Sequence, residues 1–122
     1  MYEITTVRQD DPALRFRWFA SENCDSELYI WEQRDSRAIV RFQFYFDRKW
    51  EEKVVEWKSS NSLWYAGIDD ENRFYNASPV LRRLESIDLQ EVLDIFMSIA
   101  EDVDEYIKEF VAEILKMKLC QA

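Results

Sequence analysis

Short segments in which apolar and polar residues alternate fill the first half of the chain, and they constrain the fold more than any other feature. In the clearest segment, residues 38–46, Val40, Phe42, Phe44 and Phe46 alternate with polar or amphipathic side chains. A period of two in aromatic and β-branched residues is typical of a strand with one face in a core. We therefore predict a β-sheet.

Polar links of a few residues separate these segments, for example Arg34 to Arg37. Antiparallel neighbours can be joined by such short turns, whereas parallel neighbours need crossovers of about a dozen residues or more. The sequence therefore predicts an antiparallel meander of about five strands in sequential order. The predicted strands are residues 14–20, 27–33, 38–46, 50–58 and 63–68.

The spacing of apolar residues changes to three or four near the end of the chain, which predicts helices. Ser78 and Pro79 have the pattern of an N-cap and first helical residue, so we expect a short helix over 79–84. Asp88 and Glu91 have capping-box spacing and start an amphipathic pattern that runs over 89–118. The expected fold is a single α+β domain, residues 1–122, with the long helix packed on one sheet face.

The length of that helix leaves two interpretations open. About 30 residues span about 45 Å, more than one small sheet covers. A continuous helix would place its far half on a second subunit and favours a homodimer. The alternative is a break near Glu101 and Asp102, with Asp102 capping a second helix.

The formal net charge is -9, with 16 basic and 25 acidic residues. This charge repels nucleic-acid backbones and anionic membranes, so neither is an expected partner. No segment approaches the roughly 20 apolar residues of a membrane span, and the N-terminus has no pattern of a secretory signal. We expect a soluble, cytoplasmic protein in which Cys24 and Cys120 are free thiols.

The composition also excludes common catalytic sites. The chain has no histidine, which removes imidazole acid–base catalysis and histidine-ligated zinc. Gly67 is its one glycine, too few for a phosphate-cradling loop. Asp69 to Asn72 form an acidic stretch that we interpret as a solvated connector. We predict a protein that is not an enzyme, with no catalytic residue, metal or cofactor.

Aromatic residues are numerous enough to occupy both faces of the predicted sheet. The face expected to lie in the core takes Phe16, Trp18, Val40, Phe42, Phe44 and Phe46. The opposite face takes Phe19, Tyr45 and either Tyr29 with Trp31 or Leu28 with Ile30. Exposed apolar patches of this kind usually mark an interface or a groove, unless Arg and Lys stems cover them.

Two functional hypotheses follow from these aromatic residues. The first is a non-catalytic interaction or adaptor domain, homodimeric through the helix, that binds another protein. The second is a small apolar ligand bound in a pocket between sheet and helix. The candidate residues for the binding face or pocket are Trp18, Tyr29, Trp31, Phe42, Phe44, Trp57, Tyr65 and Phe96.

A third hypothesis rests on the acidic part of the helical region, where Glu101, Asp102, Asp104 and Glu105 form a candidate acidic surface. Such a surface could imitate nucleic acid and bind a basic protein. Solvated helix faces are also rich in acidic residues. Arginines interleaved with aromatic residues in the strands raise the opposite possibility of single-strand binding, which the net charge opposes.

Part of the chain resembles a small family of bacterial proteins of unknown function. The resemblance lies in Leu28-Tyr29-Ile30-Trp31, Arg41 to Asp47, Glu52, Val55-Glu56-Trp57 and Ser78-Pro79-Val80-Leu81, and covers roughly residues 26–82. It implies a bacterial origin and one domain of constant length. It implies no functional residue.

Overall fold

The fold was analysed in a computed structural model that describes residues 1–23, 25–47, 52–59, 62–69, 80–83 and 88–121. For residues 62, 64–69, 80–83, 120 and 121 it describes the backbone alone. The expected connector at Asp69 to Asn72 lies outside these residues except for Asp69, and both cysteine side chains, Cys24 and Cys120, also lie outside them.

The described strands form one antiparallel sheet in which spatial order follows sequence order. They are β1 (Tyr2–Ile4), β2 (Leu14–Ala20), β3 (Glu27–Gln33), β4 (Ile39–Phe46), β5 (Lys53–Lys58), β6 (Ser62–Asp69) and β7 (Val80–Arg83). The predicted five-stranded antiparallel meander is confirmed as β2 to β6. Two short edge strands, β1 and β7, extend it on either side.

Two rows of side chains, directly opposite one another across β2 to β5, form the face of the sheet that lies in the core. The first row is Phe19, Leu28, Phe44 and Val55. The second is Arg17, Ile30, Phe42 and Trp57. Residues directly opposite each other point to the same face, so both rows lie together, and all eight residues are buried. We call this the helix face.

Two helices follow the sheet, α1 (Leu89–Ile99) and α2 (Glu105–Gln121). Asp88 is the N-cap of α1, as expected, and its carboxylate accepts hydrogen bonds from the backbone N–H groups of Gln90 and Glu91. Aromatic contacts join both helices to the helix face. The ring centroids of Phe96 and Phe44 are 5.5 Å apart, and those of Phe110 and Trp57 are 5.1 Å apart.

The prediction of one helix over 89–118 is wrong, because the chain leaves the helix at Ala100 and re-enters it after Asp104. The carbonyl of Asp104 accepts hydrogen bonds from Ile107 and Lys108, so Asp104 and not Asp102 is the residue that precedes the first turn of α2. The break is close to the position of the alternative interpretation, near Glu101 and Asp102. Neither glycine nor proline marks it in the sequence, and the Asp104 carboxylate at its end binds Arg17 of the sheet.

The predicted helix over 79–84 is also wrong, because Val80 to Arg83 form strand β7. These residues pair with Ala66 to Asp69 of β6. The Ser-Pro pattern is a local signal, and here the backbone pairs with a sheet edge instead. A strand edge presents unpaired N–H and C=O groups, and a further strand satisfies them.

The side-chain directions predicted for β2 are reversed. Phe16 and Trp18 lie on the face opposite the helix face, whereas Phe19 is buried on the helix face. In β4, a register shift leaves Val40 half-buried, and Ile39 is buried instead. The remaining phenylalanines expected in the core of β4, Phe42, Phe44 and Phe46, are buried.

Within the described part of the chain, no helix is both long enough and apolar enough to cross a lipid bilayer.

The two neighbouring residues Phe96 and Met97 provide a test of this packing. Phe96 is completely buried against Phe44, whereas Met97 is 43% exposed on the same helix. We expect Phe96→Ala to lower the free energy of unfolding by about 3–5 kcal/mol, through lost burial and a new cavity. Met97→Ala is the matched control and should change it by less than about 1 kcal/mol. Urea unfolding measures both, and equal effects would contradict the packing described.

Candidate functional site

Five half-buried aromatic side chains form a contiguous cluster on the sheet face opposite the helix face. They are Phe16 and Trp18 of β2, Tyr29 and Trp31 of β3, and Tyr45 of β4. We call this cluster the aromatic face. The strands bring the rings together because Phe16 is directly opposite Trp31 and Trp18 directly opposite Tyr29.

Tyr29 is at the centre of the aromatic face and contacts all four other rings. Its ring centroid lies 5.7 Å from that of Phe16, 5.9 Å from Trp18, 6.4 Å from Trp31 and 5.5 Å from Tyr45. The Tyr45 ring meets it edge-on, at 88°. Such pairs contribute about 0.5–1.5 kcal/mol each beyond area burial and fix the ring orientations. The surface is therefore formed before any partner binds.

One arginine of the chain already binds to this face. The guanidinium of Arg41 lies over the Trp31 ring, 4.4 Å from its centroid. The same guanidinium donates hydrogen bonds through Nε and Nη2 to Glu56, which is buried and also accepts from the Gln43 amide. The arginine is thus held between an aromatic ring and a carboxylate, which combines a cation–π contact with charge-assisted hydrogen bonds.

Burial and neighbouring charges both act on the Tyr45 hydroxyl at the edge of the aromatic face. Burial raises the pKa of the Tyr45 hydroxyl, and the nearby carboxylates of Glu52, Glu56 and Glu27 raise it further. The Arg41 guanidinium acts in the opposite direction. Glu27 also accepts a hydrogen bond of 2.5 Å from the hydroxyl of Tyr29. Carboxylates therefore lie close to the aromatic face on its Tyr45 side.

The segment between β1 and β2 borders one end of the aromatic face. The side-chain amide of Gln9 donates to the carbonyl of Phe16 and accepts from its N–H, both at 2.8 Å. This amide takes the place of a neighbouring strand and protects the β2 edge. Beside it lies a cavity of about 210 Å³ lined by Leu14, Phe16, Trp31, Gln9, Arg8, Asp10 and Asp11.

An ion-pair network on the helix face, centred on a buried arginine, joins the start of α2 to the sheet. Arg17, 5% exposed, donates through Nε and Nη2 to both carboxylate oxygens of Glu3, each at 2.8 Å. Its Nη1 donates to Asp104 at 2.8 Å and to the hydroxyl of Tyr106 at 2.9 Å. These partners lie in β1 and at the start of α2, so Arg17 connects three elements.

The network continues from Arg17 to the buried carboxylate of Glu32. The Tyr106 hydroxyl donates to Glu32 Oε2 at 2.6 Å, while Oε1 lies 3.9 Å from Nη1 of Arg15. Burial, and then the hydrogen bond to Glu32, raise the pKa of Tyr106. The Arg17 hydrogen bond lowers the pKa of Glu3. Glu32 Oε1 is buried and has no hydrogen bond among the described residues, but every group of the network has at least one internal partner, so we assign the network a structural role.

The structure separates seven of the eight predicted binding residues into two groups. Trp18, Tyr29 and Trp31 belong to the aromatic face. Phe42, Phe44, Trp57 and Phe96 lie in the hydrophobic core, where the Phe42 and Trp57 rings stack at 5.9 Å. Tyr65 of β6 is directly opposite Val55 of β5, and the structure describes only its backbone.

The four residues of the candidate acidic surface are all exposed at the α1–α2 connection. Glu101 and Asp102 lie in the turn between the helices, and Glu105 is the first residue of α2. Asp104 is different, because its carboxylate is an internal partner of Arg17.

Sequence reasoning missed Phe16 as a member of the aromatic face and Arg17 as a core residue. It left open which pair in β3 would be buried. Leu and Ile are fully buried more often than Tyr and Trp, and this preference could have assigned Leu28 and Ile30 to the core. The antiparallel register would then have placed Phe16 beside Trp31. Nothing local identifies Arg17, because its partners are 14 and 87 residues away.

Among the residues that the structure describes, no group of three or more Cys, Asp or Glu side chains is arranged to hold a metal ion. Comparison with known proteins finds no match to this chain, whether among protein-family models, curated proteins or solved structures. The family resemblance over residues 26–82 therefore stays a prediction.

The Glu3 contact to Arg17 predicts a specific pH dependence of stability. Because the folded pKa of Glu3 is lowered from 4.5, its contribution is full above that value and is lost as pH falls through the lower folded pKa. We expect Glu3→Gln to cost about 1–3 kcal/mol at neutral pH. The difference from the unsubstituted protein should shrink below about pH 4. Urea unfolding across pH measures it.

Asp10→Asn is the matched control for this experiment. Asp10 also pairs with an arginine, Arg8, at 2.8 Å, but the two side chains are 77% and 90% exposed. Exposed pairs contribute little, so this variant should follow the unsubstituted protein at every pH. A Glu3→Gln gap that stays constant with pH, or that is absent at neutral pH, would contradict the assignment.

Proposed function

We propose that this chain is a non-catalytic binding domain whose aromatic face contacts another protein. The observation that carries the proposal is the cluster of five rings around Tyr29, on the sheet face opposite both helices. The ring contacts of α1 and α2 with Phe44 and Trp57 are on the other face.

The residue types of this surface support the proposal. Trp, Tyr and Arg are the residues most enriched among those that dominate the energy of protein interfaces. The aromatic face and its border supply Trp18, Trp31, Tyr29, Tyr45 and Arg41 in contact with one another. Their geometry is fixed by mutual packing, so little side-chain entropy is lost when a partner binds.

The absence of histidine supports a binding role over a catalytic one. The buried ionisable groups Arg17, Glu32 and Glu56 each have internal partners. Groups satisfied in this way hold a fold together and are not poised for proton transfer to a substrate.

Self-association stays a prediction, but a long helix no longer supports it. A continuous helix of about 30 residues favoured a homodimer, but the chain breaks at residues 100–104. Each helix is short enough to be covered by a sheet of this size. If two copies associate, the aromatic face is now the surface that we expect to join them.

The second hypothesis, an apolar ligand between sheet and helix, has less support. Its candidate lining residues Phe42, Phe44, Trp57 and Phe96 contact aromatic rings of the core. Trp18 faces away from them. We therefore assign these four side chains to the core and place binding on the aromatic face.

Photo-crosslinking tests the proposal. A photoreactive phenylalanine analogue replaces Tyr29 at the centre of the aromatic face, and in a matched control it replaces Met97, which is exposed on α1. We expect irradiation in the native host to give a discrete adduct with another polypeptide from position 29. Position 29 is chosen because residues at the centre of an interface are the most completely buried on binding.

Two results would oppose this expectation. Equal adducts from positions 29 and 97 would indicate random collisions, and no adduct from position 29 would remove the aromatic face as an interface. An adduct containing two copies of this chain would identify the partner as a second copy. Circular dichroism of each variant establishes that it remains folded.

A further inference from the structure

We propose that the partner of the aromatic face is an arginine-containing basic polypeptide segment. This inference rests on the proposed function and specifies the chemistry of the partner. It depends on three observations, which are an arginine already bound to the face, a cavity with aromatic and acidic walls, and the charge of the chain.

Arg41 shows which contacts this face makes with a guanidinium. Its charged group lies 4.4 Å from the centroid of Trp31 and pairs with the Glu56 carboxylate. A planar cation is suited to both contacts, because it stacks on a ring while its N–H groups point in-plane toward an acceptor. Other rings of the same face are also next to carboxylates. Tyr29 is hydrogen-bonded to Glu27, and Tyr45 lies in the field of Glu52.

The cavity at the end of the aromatic face has the same chemistry. Its volume of about 210 Å³ is bounded by the rings of Phe16 and Trp31 and by the acidic residues Asp10 and Asp11. Arg8 also lines it, but pairs with Asp10 in an ion pair that is almost fully exposed. Such a pair contributes little free energy, so a partner's arginine can compete for Asp10.

The overall charge of -9 favours the same partner. It attracts a basic segment over a longer range than the contacts themselves and increases the association rate at low salt. Lysine would gain from this attraction too. Arginine is preferred because stacking on Trp31 and bidentate hydrogen bonding are available to a guanidinium and not to an ammonium group.

The binding mode therefore has defined components. One arginine of the segment enters the cavity, between Trp31 and Asp10. The following residues extend across Tyr29 toward Tyr45. All the proposed contacts are with side chains of the segment and none is with its backbone. We therefore expect the face to recognise the spacing of arginines and not a full sequence.

A peptide-binding experiment tests this inference. The probe is a dye-labelled peptide in which arginine alternates with serine, and its control replaces every arginine by citrulline, which is isosteric and uncharged. Fluorescence anisotropy at low salt measures both affinities. We expect the citrulline peptide to bind at least about tenfold more weakly, because both cation–π and ion-pair contacts are lost. The corresponding lysine peptide should lie between the two.

Substitutions in the protein locate the binding site. We expect Trp31→Leu to weaken arginine-peptide binding by about fivefold or more, and Asp10→Asn by about twofold to fivefold. The control is the double variant Glu101→Gln with Asp102→Asn, which removes two exposed charges at the α1–α2 connection. That variant should change the affinity by less than about twofold. Because Asp10 is exposed, Asp10→Asn should fold normally, so it tests the site even if Trp31→Leu does not fold.

The possible outcomes separate this inference from the proposed function. Equal binding of the arginine and citrulline peptides, or binding lost in the Glu101 and Asp102 variant instead of Trp31→Leu, overturns the inference. If no basic peptide binds while position 29 still crosslinks to a partner, the partner chemistry is wrong and the interface stands. If both experiments fail, the proposed function fails with the inference.

Discussion

The buried guanidinium of Arg17 connects three elements on the side of the sheet where the helices pack. A charge that is 5% exposed requires partners on its own face of the sheet, and it finds them in Glu3, Asp104 and Tyr106. Removing one of these partners leaves part of the buried charge uncompensated, which is the reason for the loss of about 1–3 kcal/mol expected for Glu3→Gln. Because Asp104 immediately precedes α2, the same interaction holds the start of the second helix against the sheet.

The aromatic face follows from this constraint through the pleat of the sheet. Successive residues of a strand point to opposite faces, so placing Arg17 and Phe19 toward the helices places Phe16 and Trp18 away from them. Leu28 and Ile30 of β3 are directly opposite Phe19 and Arg17, so they also point to the helix face and lie in the core. Tyr29 and Trp31 therefore point to the other face. Tyr29 suits such a half-buried surface, because its ring packs against its neighbours while its hydroxyl donates a hydrogen bond to Glu27.

Local pattern was enough to predict β2 to β6 and their antiparallel order, because alternation and short polar links are encoded within a few residues. It was also enough for the Asp88 cap. It was not enough for features decided by distant partners. On the helix face of β2, Arg17 contacts Asp104, 87 residues away and next to the helix break, and a pattern of a few residues cannot indicate such a contact. Similarly, Val80 to Arg83 form β7 because β6 offers a pairing edge. The sequence also left open whether Tyr29 and Trp31 or Leu28 and Ile30 of β3 would be buried. Tyr29 and Trp31 belong to the aromatic face, and Tyr29 is at its centre.

Hydroxyl-radical footprinting of the free protein and of its crosslinked or peptide-bound complex tests the central claim most directly, because it measures the solvent accessibility of individual side chains. The account predicts that Tyr29, Trp31 and Tyr45 are oxidised in the free protein and protected in the complex, while Met97 and Met117, exposed on the two helices, are oxidised equally in both. Protection of the two methionines with unchanged oxidation of Tyr29 and Trp31 would contradict it, and would place the binding surface on the helices.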